Sequence, residues 1–371
     1  MPTQQRNDVA VVLNANAKKV TPRLKARLER DAAGVDIFYS TSLEEGERIA
    51  KHILEAGYPT VLTGGGDGTF IQMVNTLYRL SGRLDPQQDG VISLAERRGH
   101  GRMPNVGILR PGTGNAVANV VGAGSPLKDI HQLRRIHASG RTVGAREIGL
   151  IESEGSVFPF AGLGWDGAVL NDYVALKDAC AESPMESIVK SAAGYIIAAA
   201  LRTAPRLLTE GRPTVKITAL DEGYLLDQEG RPSGHFAEGD VLYEGPAGMV
   251  TFGSVQYIGA KLKLFPQATR TDHFQLRAVN MNPIEGFMNL PRAWVGKMNS
   301  PKVKDFLVKS VQITCDRPMP YQVGGDAMGF RDDLILGTTA APLSTVDYRR
   351  CRHASGMLPS ARPLLKAAGD E

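Results

Sequence analysis

The sequence predicts an α/β N-terminal domain on a doubly wound, mostly parallel sheet, followed by a C-terminal antiparallel β-sandwich domain. Three observations lead there. Apolar runs alternate with helix-period segments over the first 145 residues, two glycine-rich turns follow strands, and the texture then shifts to short Val-, Ile-, Thr- and aromatic-rich runs. The expected units are 1–145, 146–345, and a basic C-terminal tail over 346–371.

"DVAVVLNAN" (8–16) reads as a buried strand, and the stretch after it, to about Arg30, carries Val20, Leu24 and Leu28 at helical spacing. "VDIFYS" (35–40) is the second strand and "TSLEEGERIAKHILEAG" (41–57) the second helix. There Ser42 and Glu45 stand in capping-box spacing, Leu43, Ile49, Ala50, Ile53 and Leu54 form an inward face, and Gly57 closes the end. "TVLT" (60–63) and "NVGIL" (105–109) are further strands of a parallel sheet with helices on both faces.

The polar, Arg- and Gly-rich stretch 81–104 reads as a long surface loop, either a solvated insertion or an Arg-lined phosphate contact. Beyond it, "REIGLIES", "SVFPFAG", "TVKITAL", "AGMVTFGS", "HFQLRAV", "SVQITC" and "LILGT" read as strands, broken once by a helix near 185–204. On that helix Ile188, Ala192, Tyr195, Ile196 and Ala199 make an apolar stripe, either core or lipid-facing, beside Lys190, Arg202 and Arg206.

A net charge of +4 on 371 residues falls short of a nucleic-acid footprint. Cys180, Cys315 and Cys351 are too scattered for a disulfide framework or a CxxC metal site, and they suit a reducing cytoplasm. "MPTQQRNDVA" lacks a signal-peptide pattern, and "SIVKSAAGYIIAAALR" (187–202) is too short and too charged to span a bilayer, so any membrane contact is expected to be peripheral.

The chemistry is concentrated in "LTGGGDGTF" (62–70). Phe70, Met73, Val74 and Leu77 recur at helical spacing, so the glycines occupy a strand-to-helix turn. Such a turn allows positive φ, lets backbone approach a ligand and aims helix N–H groups at an anion. Asp67 is out of place beside bare phosphate. It either accepts a hydroxyl proton, binds Mg²⁺, or caps the helix through the Thr69 or Phe70 N–H. "VGILRPGTGNAVANVVG" (106–122) repeats the pattern, and two such turns at strand ends would face each other across a crevice. Neither turn is a P-loop or a dinucleotide fingerprint.

Together, "GGGDGTFIQMVNTL" and "ILRPGTGNAVAN" resemble the catalytic domain of the diacylglycerol kinase and sphingosine kinase family, related to NAD kinases. "VLNANAKKV", "FAGLGWDGAVLND", "FPQATRTDHFQL" and "YQVGGDAMG" resemble further family segments in the same order, from about residue 8 to residue 340.

The resemblance implies ATP- and Mg²⁺-dependent phosphorylation of a lipid hydroxyl between the two domains, by a cytoplasmic protein that meets the membrane peripherally. The lipid is diacylglycerol, a sphingoid base or ceramide, and a homodimer is left open. Carried over by position, Gly64, Gly65, Gly66, Gly68 and Thr69 hold phosphates. Asn14, Gly112, Thr113, Gly114 and Asn115 contact the nucleotide, Asp166 lies near the lipid head group, and Asp67 and Asp326 are catalytic. Gln72, Ala116 and Gly324 stand where the family usually has carboxylates, which puts the metal arrangement in question. The alternatives are a soluble-substrate kinase of the NAD kinase type and a binding module without turnover.

Overall fold

The computed structural model describes residues 7–17, 20–32, 34–84, 103–110, 116–165, 167–168, 211–258 and 261–354. Gly112, Thr113, Gly114, Asn115, Asp166, Cys180, the segment 185–208 and most of the 81–104 stretch lie outside the described residues.

The first sheet takes β1 (Val9–Asn14), β2 (Asp36–Ser40), β3 (Thr60–Gly64), β4 (Asn105–Leu109), β5 (Ala145–Ile148) and a strand from far along the chain, Leu343–Val346. Around it lie α1 (Pro22–Asp31), α2 (Leu43–Ala56), α3 (Asp67–Leu80), α4 (Ala116–Val121) and α5 (Pro126–Ala138). β1 and β3 are apolar runs because each sits between two parallel neighbours, and Val9 to Leu13 are all buried. The register sets Leu13 beside Gly64 and Gly64 beside Leu109, so the carboxyl ends of β1, β3 and β4 finish level on one edge. Open α/β sheets bind ligands at that edge.

The second sheet is antiparallel and strand-rich. It comprises β6 (Ile151–Ser153), β7 (Ser156–Phe158), β8 (Phe160–Gly164), β9 (Thr214–Ala219), β10 (Gly223–Leu226), β11 (Pro232–Phe236), β12 (Val241–Pro246), β13 (Met249–Gly253), β14 (Phe274–Val279), β15 (Val303–Val308), β16 (Ser310–Val323) and β17 (Asp326–Thr338). The twelve strands form one hydrogen-bonded network around a core that includes Phe158, Phe252, Phe274 and Tyr321. α3 is fastened to its near edge by Asn75, whose side chain donates to the Val157 carbonyl at 2.8 Å and accepts from the Val157 N–H at 2.7 Å.

Several expectations are corrected. Leu343–Val346, numbered β18, was expected in the second unit; it lies in the first sheet, parallel to β4 and antiparallel to β5. The expected tail begins instead as α7 (Tyr348–Ala354). Tyr348 and Cys351 are fully buried, and the Tyr348 hydroxyl donates to the Ile108 carbonyl at 3.0 Å. "REIGLIES" divides into β5 and β6, which belong to different sheets.

The capping box on α2 is not reciprocal: Ser42 accepts from the Glu45 N–H, but the Glu45 carboxylate reaches one residue further back, to the Thr41 N–H and hydroxyl. Leu43, assigned to the inward face, is exposed: as the first residue of α2 it lies at the mouth of the cavity beside Asn14 and not in the core. A helix missed in the strand-rich half, α6 (Pro283–Trp294), begins with a true capping box of Asn282 and Glu285. Pro291 inside it breaks the helical reading of the sequence.

Candidate active site

The turn after β3 is built for close approach. None of Gly64, Gly65, Gly66 and Gly68 has positive φ, which corrects one of the reasons for expecting glycine there. The reason that remains is space. A methyl on Gly64 would meet Leu13 Cδ2 at 2.3 Å, and one on Gly68 would meet Asp326 Oδ2 at 2.7 Å. On Gly65 it would meet the Thr69 hydroxyl. Gly66 differs: it is exposed and faces open space, so its bare backbone is the part of the turn a ligand can reach. Thr69, packed under Gly65, accepts a hydrogen bond from Asn14 Nδ2 at 3.1 Å, which joins the end of β1 to the first turn of α3.

Asp67 is the first residue of α3 and is buried. It does not cap its own helix, since Gly66 is the N-cap and no side chain bonds there. Both carboxylate oxygens instead accept from the Ala116 N–H, at 3.0 and 2.9 Å, at the start of α4. The residue that follows the first glycine turn therefore caps the helix that follows the second. Burial dominates its acidity and pushes the carboxyl up to about 6, against the Ala116 and Val117 N–H groups and with a further push from Asp326.

Asp326 comes from the other sheet. The hairpin between β16 and β17 turns at Gly324 (φ 60°) and Gly325 (φ 90°), and the missing side chain of Gly324 lets the hairpin lie directly on Ile71 of α3. That contact brings Asp326 Oδ2 over Gly68. Asp326 remains exposed on its outer side, and its inner side is desolvated enough to raise the carboxyl above the usual range. With Gly324 bare, the hairpin lies close enough to α3 for the Asp326 carboxylate to reach the turn.

Beside the turn, at the carboxyl ends of β1 and β2, a cavity of about 210 Å³ is lined by residues including Asn14, Ser40, Ser42, Gly46, Thr69 and Gln72. Its polar lining is neutral, and Gln72 forms part of it where a carboxylate is usual. Ser40, Ser42 and Gly46 escaped the sequence reading, since nothing local marks a strand end and a helix start as two walls of one cavity. Trp165, next to the expected head-group residue, has its ring against Gly248 and Gly286, where an added methyl would lie 3.3 and 2.7 Å away. Among the described residues no cluster of three or more His, Cys, Asp or Glu could hold a metal by itself. No described helix is long and apolar enough to cross a membrane.

Residues 8–145 match the family model of the diacylglycerol kinase catalytic domain. The matched stretch takes in β1 to β4 and the positions of both glycine turns. The fold is shared along nearly the whole chain with a diacylglycerol kinase from Bacillus anthracis str. Sterne, at 16% identity, a TM-score of 0.54, and 93% of this chain and 98% of that one covered. A second B. anthracis structure overlaps with a TM-score of 0.57 at 17% identity, covering 91% and 94%. No protein of curated function matches the chain in sequence. The family match takes in the positions of both glycine turns and Asp67, while Asp326 approaches Gly68 from beyond residue 145.

Proposed function

We propose that the protein is a lipid kinase that transfers the γ-phosphoryl group of ATP to a lipid hydroxyl. The observation that carries this reading is the approach of Asp326, from the second sheet, to Gly68, beside Asp67 at the start of α3, which sets two carboxylates of raised pKa at a glycine turn within the stretch that matches the kinase family. A base near 6 is mostly ionised at neutral pH yet basic enough to take a proton, which suits Asp67 to accept the hydroxyl proton as the oxygen attacks phosphorus.

The nucleotide would lie along the carboxyl edge of the sheet. The cavity at Asn14, Ser40 and Gln72 is smaller than the roughly 300–1,000 Å³ of a whole-ligand pocket, so it takes one part of the nucleotide, with the phosphates over Gly66. Asn14 and Thr69 hold the wall between these two places. The glycine turn would offer N–H groups to the charge that builds on the phosphoryl oxygens, and positioning with electrostatics dominates this chemistry.

Mg²⁺ fits the residues present, because it commonly takes only one or two protein carboxylates and completes its shell with phosphate oxygens and water. Asp326 would hold it, leaving Asp67 as the proton acceptor, and it would supply charge neutralisation on the phosphates. A lipid acceptor is favoured by two exposed apolar side chains, Met328 and Phe330, that follow Asp326 along β17. Phe330 also lines a cleft of about 170 Å³ with Trp165, Met319 and Pro320.

The test is transfer of label from γ-labelled ATP into diacylglycerol, sphingosine, ceramide and NAD, with and without Mg²⁺. Label in one of the lipids is expected. Label in NAD alone would move the protein to the soluble-substrate branch, and ATP binding without any transfer would identify a binding module.

A further inference from the structure

We propose that the outer face of α6 is a docking surface for an anionic lipid bilayer. This deepens the lipid-acceptor reading and rests on it for its purpose, although the surface itself is defined by exposure and charge alone. Ile284, Met288, Pro291 and Val295 recur at intervals of four, three and four residues, which places them on one face of a helix.

That face points outward. Ile284 is 51% exposed, Met288 75% and Val295 61%, with Trp294 alongside at 44%. Four large apolar groups in one stripe are not the scattered surface residues of an ordinary helix. The opposite face is occupied: Ala293 is buried, Gly286 lies against the Trp165 ring, and the Lys263 N–H donates to the Trp294 carbonyl at 3.3 Å. Trp165 precedes the expected head-group residue and lines the apolar cleft, so the stripe lies one helix away from the place where the lipid acceptor is expected.

Charge selects the occupant. Arg292 and Lys297 are exposed around the stripe, with Arg212 and Lys263 nearby. The one carboxylate on α6, Glu285, is already engaged by Lys302 Nζ at 2.6 Å and by the Asn282 N–H at 3.1 Å. The rim is therefore positive. A second copy docked face to face would bring the same cations together, which disfavours a symmetric dimer through this surface. An anionic bilayer accepts both the apolar side chains and the basic rim, and a tryptophan at the edge suits the headgroup level.

The experiment is co-sedimentation of the full chain, without ATP, with vesicles of phosphatidylcholine alone or mixed equally with phosphatidylglycerol, across a salt series. Wild type is expected to sediment with the mixed vesicles and to be released by salt. Ile284→Asp combined with Met288→Asp is expected to weaken binding by about tenfold or more, with unchanged melting and unchanged phosphorylation of detergent-dispersed lipid. Arg292→Glu with Lys297→Glu is expected to remove the preference for phosphatidylglycerol.

Wild type that stays in the supernatant, or that binds equally well after both pairs of substitutions, would overturn the proposal. So would self-association of wild type that Ile284→Asp abolishes. Docking without lipid phosphorylation would leave this surface standing and remove the kinase reading. Phosphorylation without docking would do the reverse.

Discussion

The Asp67 carboxylate accepts the Ala116 N–H through both of its oxygens, at 3.0 and 2.9 Å, across 49 positions of sequence. One side chain thereby ties the glycine turn after β3 to the first residue of α4. It is also the carboxylate that burial raises to about 6. A structural contact and the proposed chemical role coincide at a single group, and the consequences can be separated by experiment.

The first concerns pH. With Asp67 near 6, the rate of phosphoryl transfer at limiting substrate should fall as the pH drops through about 6, because the protonated carboxyl cannot take the hydroxyl proton. Asp326 adds to the upward push on Asp67, behind burial. Asp326→Asn is therefore expected to move the acid limb to lower pH, and a profile of kcat/KM from pH 4.5 to 8 for both proteins checks it. An unmoved limb would show that the two carboxylates do not interact.

A second concerns Asn75. Its side chain satisfies both backbone groups of Val157. Asn75→Ala leaves a buried N–H and a buried carbonyl unpaired, at a cost of about 2–4 kcal/mol. Denaturant unfolding should show the loss as a lower midpoint, and activity should fall with it because α3 is no longer fastened to the sheet that carries Asp326.

A third concerns Gly324. Its φ of 60° and the 2.2 Å separation between Ile71 Cδ1 and an added methyl make Gly324→Ala unfavourable on two grounds. The expected loss is roughly 1–3 kcal/mol, together with reduced turnover as Asp326 is lifted from Gly68. Ile71→Ala in the same chain should recover part of the stability by removing the clash while leaving the backbone strain. Recovery of everything would mean the clash alone mattered.

A fourth concerns the C-terminal return. Deleting residues 343–371 removes β18 from between β4 and β5 and takes Tyr348 out of the core. That chain is expected to lose cooperative melting of the first sheet. Tyr348→Phe, which loses only the bond to the Ile108 carbonyl, should cost about 1 kcal/mol.

The first unit was legible in the sequence where the signal was local. The apolar β1 and β3 runs, the glycine turn, the α3 periodicity and Gly57 in its left-handed C-cap are each decided by neighbours within a turn or two. What it hid was long-range. Residues 343–346 carried no strand reading at the junction of the second unit and the tail, and only the fold inserts them beside β4. Asp67 was marked as functional by its neighbours, but its hydrogen-bond partner lies in another helix. Asp326 was suggested by a loose motif, yet its approach to Gly68 depends on the bare Gly324 resting on Ile71. Asn75 lay inside the quoted glycine-turn motif without any feature that told of its hold on Val157.

The measurement that bears most directly on catalysis by Asp67 is ATP-to-lipid transfer by wild type and Asp67→Asn, with melting and ATP binding followed in parallel. A carboxyl raised above its ordinary 3.8 makes the fold more stable as pH falls from about 6 toward 4, and that stability is lost as pH rises through about 6. At pH 7.5 the substitution removes a buried charge, while the amide oxygen can still accept the Ala116 N–H. Melting should be unchanged or raised by roughly 2–4 °C, ATP binding retained, and turnover reduced by about 10²–10⁴-fold. Near-normal turnover in Asp67→Asn would contradict a catalytic role for this carboxylate and leave it as the cap of α4 alone.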